Sequence, residues 1–556
     1  MMFSKKQAEN PKYIFVVGGV ISGVGKGITT SSIAKILQDR GLKVTAIKID
    51  PYINVDAGTM NPTEHGEVFV LDDGDETDQD MGNYERFLNI DLTRVNYMTT
   101  GRVYDTVIHK ERNLEYGGKC VEVVPHIPME VIERIEKAQK KAEADAVVIE
   151  VGGTVGEYQN MLFLEAARMM RLKHPKDVAF VMVSYLPVPS KIGEMKTKPT
   201  QHAVRTLNAS GIQPDIIIAR SNESLDEKRK EKLSMFCNVA ASRVISAPDV
   251  ESIYDIPANF EKENLSDILC DILFLTCKNN RARSAEEWDI FTNRIHSATE
   301  DLNIAVVGKY FDTGNYVLAD AYISVIEAAR HAAYSQNRKP VLTWINAVDF
   351  EKDPSKVKEL AKYDGIIVPG GFGIRGIEGI ISAVSFAREN KIPYLGLCYG
   401  MQLAVIEFAR HVVGWKDAST REVDPKSAHL VIDVMESQKG NLDTQNYGGT
   451  MRLGAYDAYL GKDTIARDAY GAETISERHR HRYEVNNKYI ADIEKAGMIF
   501  SGKSPDGKLM EIAELPKSMH PFFLGSQFHP EFKSRPLAPH KLFVAFMKAA
   551  IENKKK

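Results

Sequence analysis

Short apolar runs ending in Gly, Asp or Pro recur along this chain between longer amphipathic stretches, and that rhythm leaves few folds open. YIFVVGG (13–19), KVTAIKID (43–50), DAVVIEVGG (145–153), DVAFVMVSY (177–185) and DIIIAR (215–220) read as strands buried on both faces. Such strands need helices above and below them, so the pattern predicts a parallel sheet wound with helices. The polar, charge-rich stretch TCKNNRARSAEEWDIFTNRIHSATED then interrupts the series. A second series runs through LNIAVVGKY (302–310), PVLTWIN (340–346), YDGIIVPGG (363–371) and IPYLGLC (392–398). The expectation is an α/β chain of two doubly wound parallel-sheet domains, residues 1–275 and 302–556, joined over 276–301 by a connection with a helix inside it. From about Trp415 to Gly454 the chain is polar and turn-rich and reads as loop or short strands.

The 71 basic and 75 acidic side chains leave a net charge of -4, so no global field favours nucleic acid or a membrane surface, and any phosphate must be bound locally. Cys120, Cys237, Cys270, Cys277 and Cys398 show no paired metal-ligand spacing, which argues against a disulfide framework or zinc knuckle and for a reducing, cytoplasmic setting. No apolar segment approaches the length that crosses a bilayer.

The sharpest local signal is GLCYGMQLAVIEFAR, where an apolar strand ends at Cys398 with Gly396 and Gly400 on either side. This is a nucleophile elbow with Cys in place of Ser, and the helix after it points amides and a positive dipole end at the sulfur. A thiolate of this kind needs an imidazole and a group to orient it, and QFHPEF offers His529 and Glu531, which leave one face of an extended segment. PGGFGIRG (369–376) can turn backbone amides toward a carbonyl under attack. Taken singly, a buried inert cysteine, a capping histidine and a plain glycine turn are the blander readings.

In the first half, GGVISGVGKG (18–27) follows a strand and opens an amphipathic helix. Its glycines expose amides to a phosphate chain, and Lys26 adds a point charge. It departs from GxxxxGK[ST], because Val20 stands at the first glycine and Gly27 at the hydroxyl position, so a metal must be held elsewhere. Asp80, at the end of the acidic stretch LDDGDETDQD, and Glu150, which closes the strand AVVIE, are the candidates, since the carboxyl ends of parallel strands are where open α/β sheets bind ligands and hard oxygen ligands suit magnesium. GEMKTKPTQH (193–202) sets Lys196 and Lys198 around a proline-fixed turn, able to grip a second triphosphate and a polar base.

PGGFG, GLCYGMQ and HPE, in that order, resemble the class I glutamine amidotransferases over about residues 300–550. YIFVVGGVISGVGKG, KIDPYINVDAGTMNPTEHGEVFVLDDG, VIEVGGTVGE and KTKPTQHAVRTL are similar to the amidoligase domain of the CTP synthase family, and the likeness covers nearly the whole chain. The resemblance implies a P-loop NTPase-like synthetase domain followed by a flavodoxin-like glutaminase domain that together make CTP from UTP, ATP and L-glutamine. It implies Cys398 as nucleophile, His529 as acid and base, Glu531 as its orienter, and Gly371, Tyr399, Gly400, Met401, Gln402, Glu422 and Arg482 around the glutamine. ATP would lie at Gly23, Val24, Gly25, Lys26, Gly27, Ile28 and Asp80, with Pro248, Asp249 and Val250 on the adenine side. UTP, or CTP as feedback inhibitor, would lie at Ser22, Glu157, Tyr158, Gln159, Lys196, Thr197, Lys198, Pro199, Thr200, Gln201 and Lys232. Lys48 is a candidate for the phosphoryl group in transfer, and Mg2+ is implied at Asp80 and Glu150. The resemblance further implies GTP activation, a moving loop over Gly371 to Gly379, and homotetramers. Two rival readings stand beside it: an amidoligase acting on another acceptor such as a corrinoid carboxylate, and a P-loop ATPase switch with an inert second domain.

Overall fold

The computed structural model describes residues 10–191, 193–277, 282–309, 319–435 and 448–555. The chain divides into two compact units, one of residues Met1–Asp56 and Asn83–Thr292, the other of Ala57–Gly82 and Asn293–Lys556. Strands are numbered along the chain. β1 (Lys12–Gly19) and β2 (Val44–Asp50) belong to the first unit, and the short β3 (Phe69–Val70) and β4 (Glu76–Thr77) to the second. β5 (Tyr97–Thr99), β6 (Ala146–Thr154), β7 (Val178–Tyr185), β8 (Ile216–Ser221) and β9 (Val244–Pro248) return to the first.

The first unit's sheet runs β5-β2-β6-β1-β7-β8-β9, every pair parallel. Its apolar strands alternate between two buried faces: Tyr13, Phe15 and Val17 enter one core cluster with Ile47, Ile149 and Phe180. Phe15 stacks on Phe180 with ring centroids 5.6 Å apart. β1 lies where the winding reverses, with β6 on one side and β7 on the other, so the loop leaving its carboxyl end opens at a topological switch point.

In the second unit, β10 (Asp301–Gly308), β11 (Lys339–Asn346), β12 (Gly365–Val368) and β13 (Tyr394–Leu397) are the four runs of the second apolar series. Short β14 (Ser419–Thr420) and β15 (Leu430–Val434) follow, in the stretch expected to be loop or short strands. Next come β16 (Arg452–Leu460), β17 (Thr474–His481), β18 (Tyr483–Val485), β19 (Ile499–Lys503), β20 (Met510–Glu514) and β21 (Phe523–Ser526). The large sheet is ordered β11-β10-β12-β13-β21-β20-β19-β16-β17. Leu302, Ile304 and Val306 of β10 face the helices Ile323–Ser335 and Lys541–Lys554, whereas Ala305 and Val307 share a cluster with the helices Ile377–Glu389 and Tyr399–Phe408. That is a doubly wound layer built on period-two alternation. The parallel reading holds for β10 to β13 and β21; beyond β21 the sheet continues antiparallel. Alternation is the same for either strand direction, so this extension carries no sequence mark.

The helix Arg283–Ser297 lies inside the expected connection. Cys270 and Cys277, which nothing in their spacing pairs, are joined by a disulfide. Among the described residues, no helix is long and apolar enough to cross a membrane.

Candidate active sites

β13 carries the chain to Cys398 and the helix Tyr399–Phe408 begins at the next residue. The turn is sharp: a Cβ at Gly396 would lie 2.7 Å from the Gly400 carbonyl carbon, and one at Gly400 2.4 Å from the Val368 carbonyl oxygen. Only glycine fits at either place. Cys398 itself has φ 50° and ψ -97°, a conformation costing a non-glycine residue about 1–3 kcal/mol. Its N–H donates to Ser526 O at 2.6 Å.

His529 Nδ1 and Glu531 Oε1 are 2.7 Å apart and both residues are buried. They meet by a different route from the extended segment expected. Pro530 opens the 3-10 turn Pro530–Lys533, which folds Glu531 back onto the ring just ahead of it. The imidazole stacks on Phe532 with centroids 5.0 Å apart. Burial works against its charged form, but the Glu531 carboxylate and the Cys398 thiolate outweigh that penalty and lift His529 from 6.5 to about 10. The ring is therefore held in its charged form beside the sulfur. A cavity of about 70 Å³ lies over them, with Gly370, Gly371, Phe372, Cys398, His529 and Glu531 in its wall.

Gly370 approaches so closely that a Cβ there would sit 2.9 Å from His529 Cε1. Gly370→Ala must displace the imidazole, and a displacement of about 1 Å costs on the order of 10²-fold in rate. Glutamine hydrolysis by this variant is expected to fall by about that factor, with ammonium-driven product formation unchanged. An unaltered hydrolysis rate would remove Gly370 from the site.

The loop after Gly371 is pinned at one residue. Gly373 N–H donates to Glu422 Oε1 at 2.7 Å, and Gly373 O accepts from Lys309 Nζ at 2.5 Å and Tyr399 Oη at 3.1 Å. Lys309 lies 4.2 Å from the Tyr399 ring centroid, and burial brings its ammonium down to about 8 against the pull of Glu422 and Glu351. Of the residues expected around glutamine, Gly371 therefore lines the cavity, while Tyr399 and Glu422 hold its loop. Met401 is buried against β21, where a Cβ at Gly525 would meet its Cα at 2.8 Å, and Arg482 donates to Thr450 Oγ1 at 3.1 Å. Gln402 directs its side-chain amide to Tyr483 O at 3.0 Å and Gln527 Oε1 at 3.2 Å.

In the first unit, β1 ends in a loop whose bends are left-handed at Val20, Gly23 and Gly25, with φ of 80°, 68° and 91°. Gly25 caps the helix Lys26–Asp39, and no side chain caps its first amides. Lys26 reaches back along the loop and donates to Gly153 O at 2.9 Å; a Cβ at Gly18 would lie 2.9 Å from its Nζ, so that glycine clears the path. Val24 and Gly27 are buried, whereas Ser22 and Gly23 are exposed. A cavity of about 180 Å³ brings Gly25 and Ile28 together with Pro248, Asp249, Val250 and Arg220. Arg220 donates to Asp249 Oδ1 at 2.9 Å.

Glu150 does not close its strand as expected: β6 runs on through Gly152 and Gly153 to Thr154, so the carboxylate lies mid-strand, where at the register position of Lys48 it accepts from Lys48 Nζ at 3.0 Å and from the Tyr84 hydroxyl. Asp50 lies 3.6 Å from the same ammonium. Asp80 opens the helix Asp80–Leu88 with its N–H on Asp78 Oδ1 at 2.8 Å. Among the described residues no three His, Cys, Asp or Glu side chains form a ready metal cluster.

Glu157 accepts from Thr154 N–H at 2.9 Å and from Gln159 Nε2 at 2.6 Å, and Tyr158 is 93% exposed. This loop borders the helix Lys198–Ala209, since a Cβ at Gly156 would lie 3.1 Å from Thr206. At that helix's start Pro199 occupies the first turn, Thr200 accepts from Ser184 Oγ at 2.8 Å, and Gln201 donates to Thr197 Oγ1 at 3.1 Å. Lys198 is exposed, and Lys196 pairs with Glu194 at 2.5 Å. The Lys196 hydrogen bond and charge, helped by Arg229 and Lys232, hold the Glu194 carboxyl below its usual range, so these cations gather at one place.

Lys309, Gly370, Arg220 and Gln527 were missed although each lies in a run already singled out. All four stand at or just beyond a strand's carboxyl end, the one signal that could have found them.

A family model for the CTP synthase N-terminus matches residues 12–275, and one for class-I glutamine amidotransferases matches residues 317–549. A CTP synthase of Pyrococcus furiosus is 51% identical over 545 residues, covering 98% of this chain and 98% of that protein. One of Shouchella clausii is 48% identical over 541 residues, covering 97% and 99%. Among solved structures, the Trypanosoma brucei CTPS glutaminase domain with bound acivicin is 38% identical, covers 45% of this chain and 94% of its own, and has a TM-score of 0.42. With both halves matched in order and the relatives aligned end to end, this chain belongs to the CTP synthase family, the glutamine-hydrolysing ligases that join a synthetase domain to a class I amidotransferase domain.

Proposed function

We propose that the two sites act in series on one nitrogen atom, and the observation that carries this reading is the convergence of Cys398, His529 and Glu531 on a single cavity. The Cys398 thiolate attacks the side-chain amide carbon of glutamine, and backbone amides at Gly370 and Gly371 face the developing oxyanion. His529 gives its proton to the departing nitrogen, ammonia leaves, and a thioester remains. The neutral imidazole then takes a proton from water, the hydroxide adds to the thioester, and glutamate departs as the electron pair of the C–S bond returns to sulfur. Glu531 fixes the ring and balances its charge throughout.

At the other site the uracil O4 attacks the γ-phosphorus of ATP, ADP leaves, and UTP carries phosphate at position 4. Ammonia displaces that phosphate and yields CTP. Lys26 and the bare amides of its helix hold the phosphate chain, with Lys48 beside the transferred group. The adenine enters the cavity at Pro248 to Val250, while UTP, or CTP as inhibitor, binds Lys196 to Gln201, Lys232, Ser22 and the Glu157 loop. Glu150 suits magnesium, being a buried hard-oxygen donor that already holds the Lys48 ammonium, and the family pattern adds Asp80. When bound, magnesium neutralises charge on the β- and γ-phosphates. GTP activation and assembly as homotetramers belong to the same reading; exposed Ile108, Leu114, Val123, Val124 and Met129 on the first unit are apolar surface that assembly would cover.

The test is to incubate the purified chain with UTP, ATP, magnesium and glutamine and to measure CTP. CTP formation that needs every component is expected. Glutamate release without CTP would favour an amidoligase with another acceptor.

A further inference from the structure

We propose that Gln527 is a direct hydrogen-bond donor to the Cys398 sulfur and one of the groups that keeps it reactive, an inference that rests on Cys398 being the nucleophile. Gln527 Nε2 lies 3.6 Å from Cys398 Sγ, and the exposures of Gln527, Gln402 and Cys398 are 0%, 3% and 4%, so water does not compete for the contact. Which end of the amide faces sulfur is decided by a backbone group. Tyr483 O can only accept, so the group on it at 3.0 Å is the NH2 of Gln402. That same nitrogen meets Gln527 at 3.2 Å, which must therefore present its oxygen there and turn its own NH2 to the sulfur. Gln527 is also fixed at the main chain, where its N–H donates to Glu511 O at 2.8 Å.

The sulfur has a second polar neighbour, Arg480 O, at 3.8 Å. A protonated thiol can donate to that carbonyl, but a thiolate meets only its lone pairs, whereas the Gln527 donor gains strength when the sulfur is charged. Gln527 thus favours the thiolate over the thiol. The same donor faces the sulfur when the thioester C–S bond breaks and its electron pair returns. His529 answers for the moving proton; Gln527, which neither gains nor loses one, answers for the charge left behind.

Gln527→Met keeps the bulk and removes the donor, and Gln527→Asn keeps the amide but withdraws it by one methylene. In whole chains of both variants, iodoacetamide labelling of the Cys398 peptide is followed against pH by mass spectrometry, because exposed Cys120 also reacts. The labelling curve is expected to shift to higher pH, and glutamine-dependent turnover to fall about ten- to a hundredfold, the range for a lost bond to a charged group. A thermal unfolding profile with the wild-type transitions establishes that the variant is folded, and ammonium-driven CTP formation at the wild-type rate that the first unit is intact. A labelling curve that matches wild type in either folded variant overturns the proposal. Cys398→Ala is run beside them: if it still uses glutamine, the nucleophile assignment has failed, and that failure is read independently of the labelling curves.

Discussion

Cys398→Ala is expected to abolish CTP formation from glutamine, by about 10⁴-fold or more, and to leave formation from added ammonium at the wild-type rate. The size follows from the chemistry: without the sulfur no thioester forms, and the remaining cavity offers an oxyanion site with no attacking group. The selectivity follows from the division of the chain, since Cys398 lies in the second unit and Lys26 in the first. A second readout is the titration of His529. Burial opposes its charge and Glu531 and the thiolate support it, so removing the thiolate lowers the ring from about 10. Because the folded value is raised above 6.5, the ion pair's contribution to stability is complete below that pH and lost as pH rises through about 10; the alanine variant narrows that window from above. Equal loss of glutamine-driven and ammonium-driven synthesis in a folded variant would overturn the separation of roles.

Lys26→Met is expected to reduce CTP formation by about 10³-fold or more with either nitrogen source. Lys26 is the one cation of GGVISGVGKG and opens the helix after the loop, and it is laid over Gly18 toward Gly153, where a γ-phosphoryl group would meet it. The methionine fills the same space without the charge, so the loss should appear in ATP consumption as well as in CTP. Measuring both products from both nitrogen sources makes the two variants a crossed pair: one blind to glutamine only, the other to both. Ammonium-driven synthesis that survives Lys26→Met would take the phosphate site away from this loop.

The parts of the fold visible in the amino-acid string are those written within a few consecutive residues. Nine of the apolar runs are strands β1, β2, β6, β7, β8, β10, β11, β12 and β13, because burial on both faces leaves an uninterrupted apolar signature. The elbow at Cys398 and the loop before Lys26 were legible for a similar reason. Each depends on glycines whose spacing sets a local backbone path, with Gly396 and Gly400 forced by contacts inside the turn itself or with the adjacent strand.

What needed the tertiary structure was the company those segments keep. Segment Ala57–Gly82 is early in sequence yet belongs to the second unit, where Asp72 and Glu76 pair with Arg478 and Arg480 of β17. The antiparallel half of the second sheet, the Cys270–Cys277 bond, the clamp of Lys309 and Glu422 on Gly373, and the amide chain from Tyr483 through Gln402 and Gln527 to Cys398 are likewise contacts between distant positions. Sequence alone determined the elbow at Cys398 and the glycine loop before Lys26, since a strained turn and a helix start are properties of short stretches. Folding decided which remote side chains surround them, because hydrogen bonds and burial depend on neighbours in space that no spacing along the chain specifies.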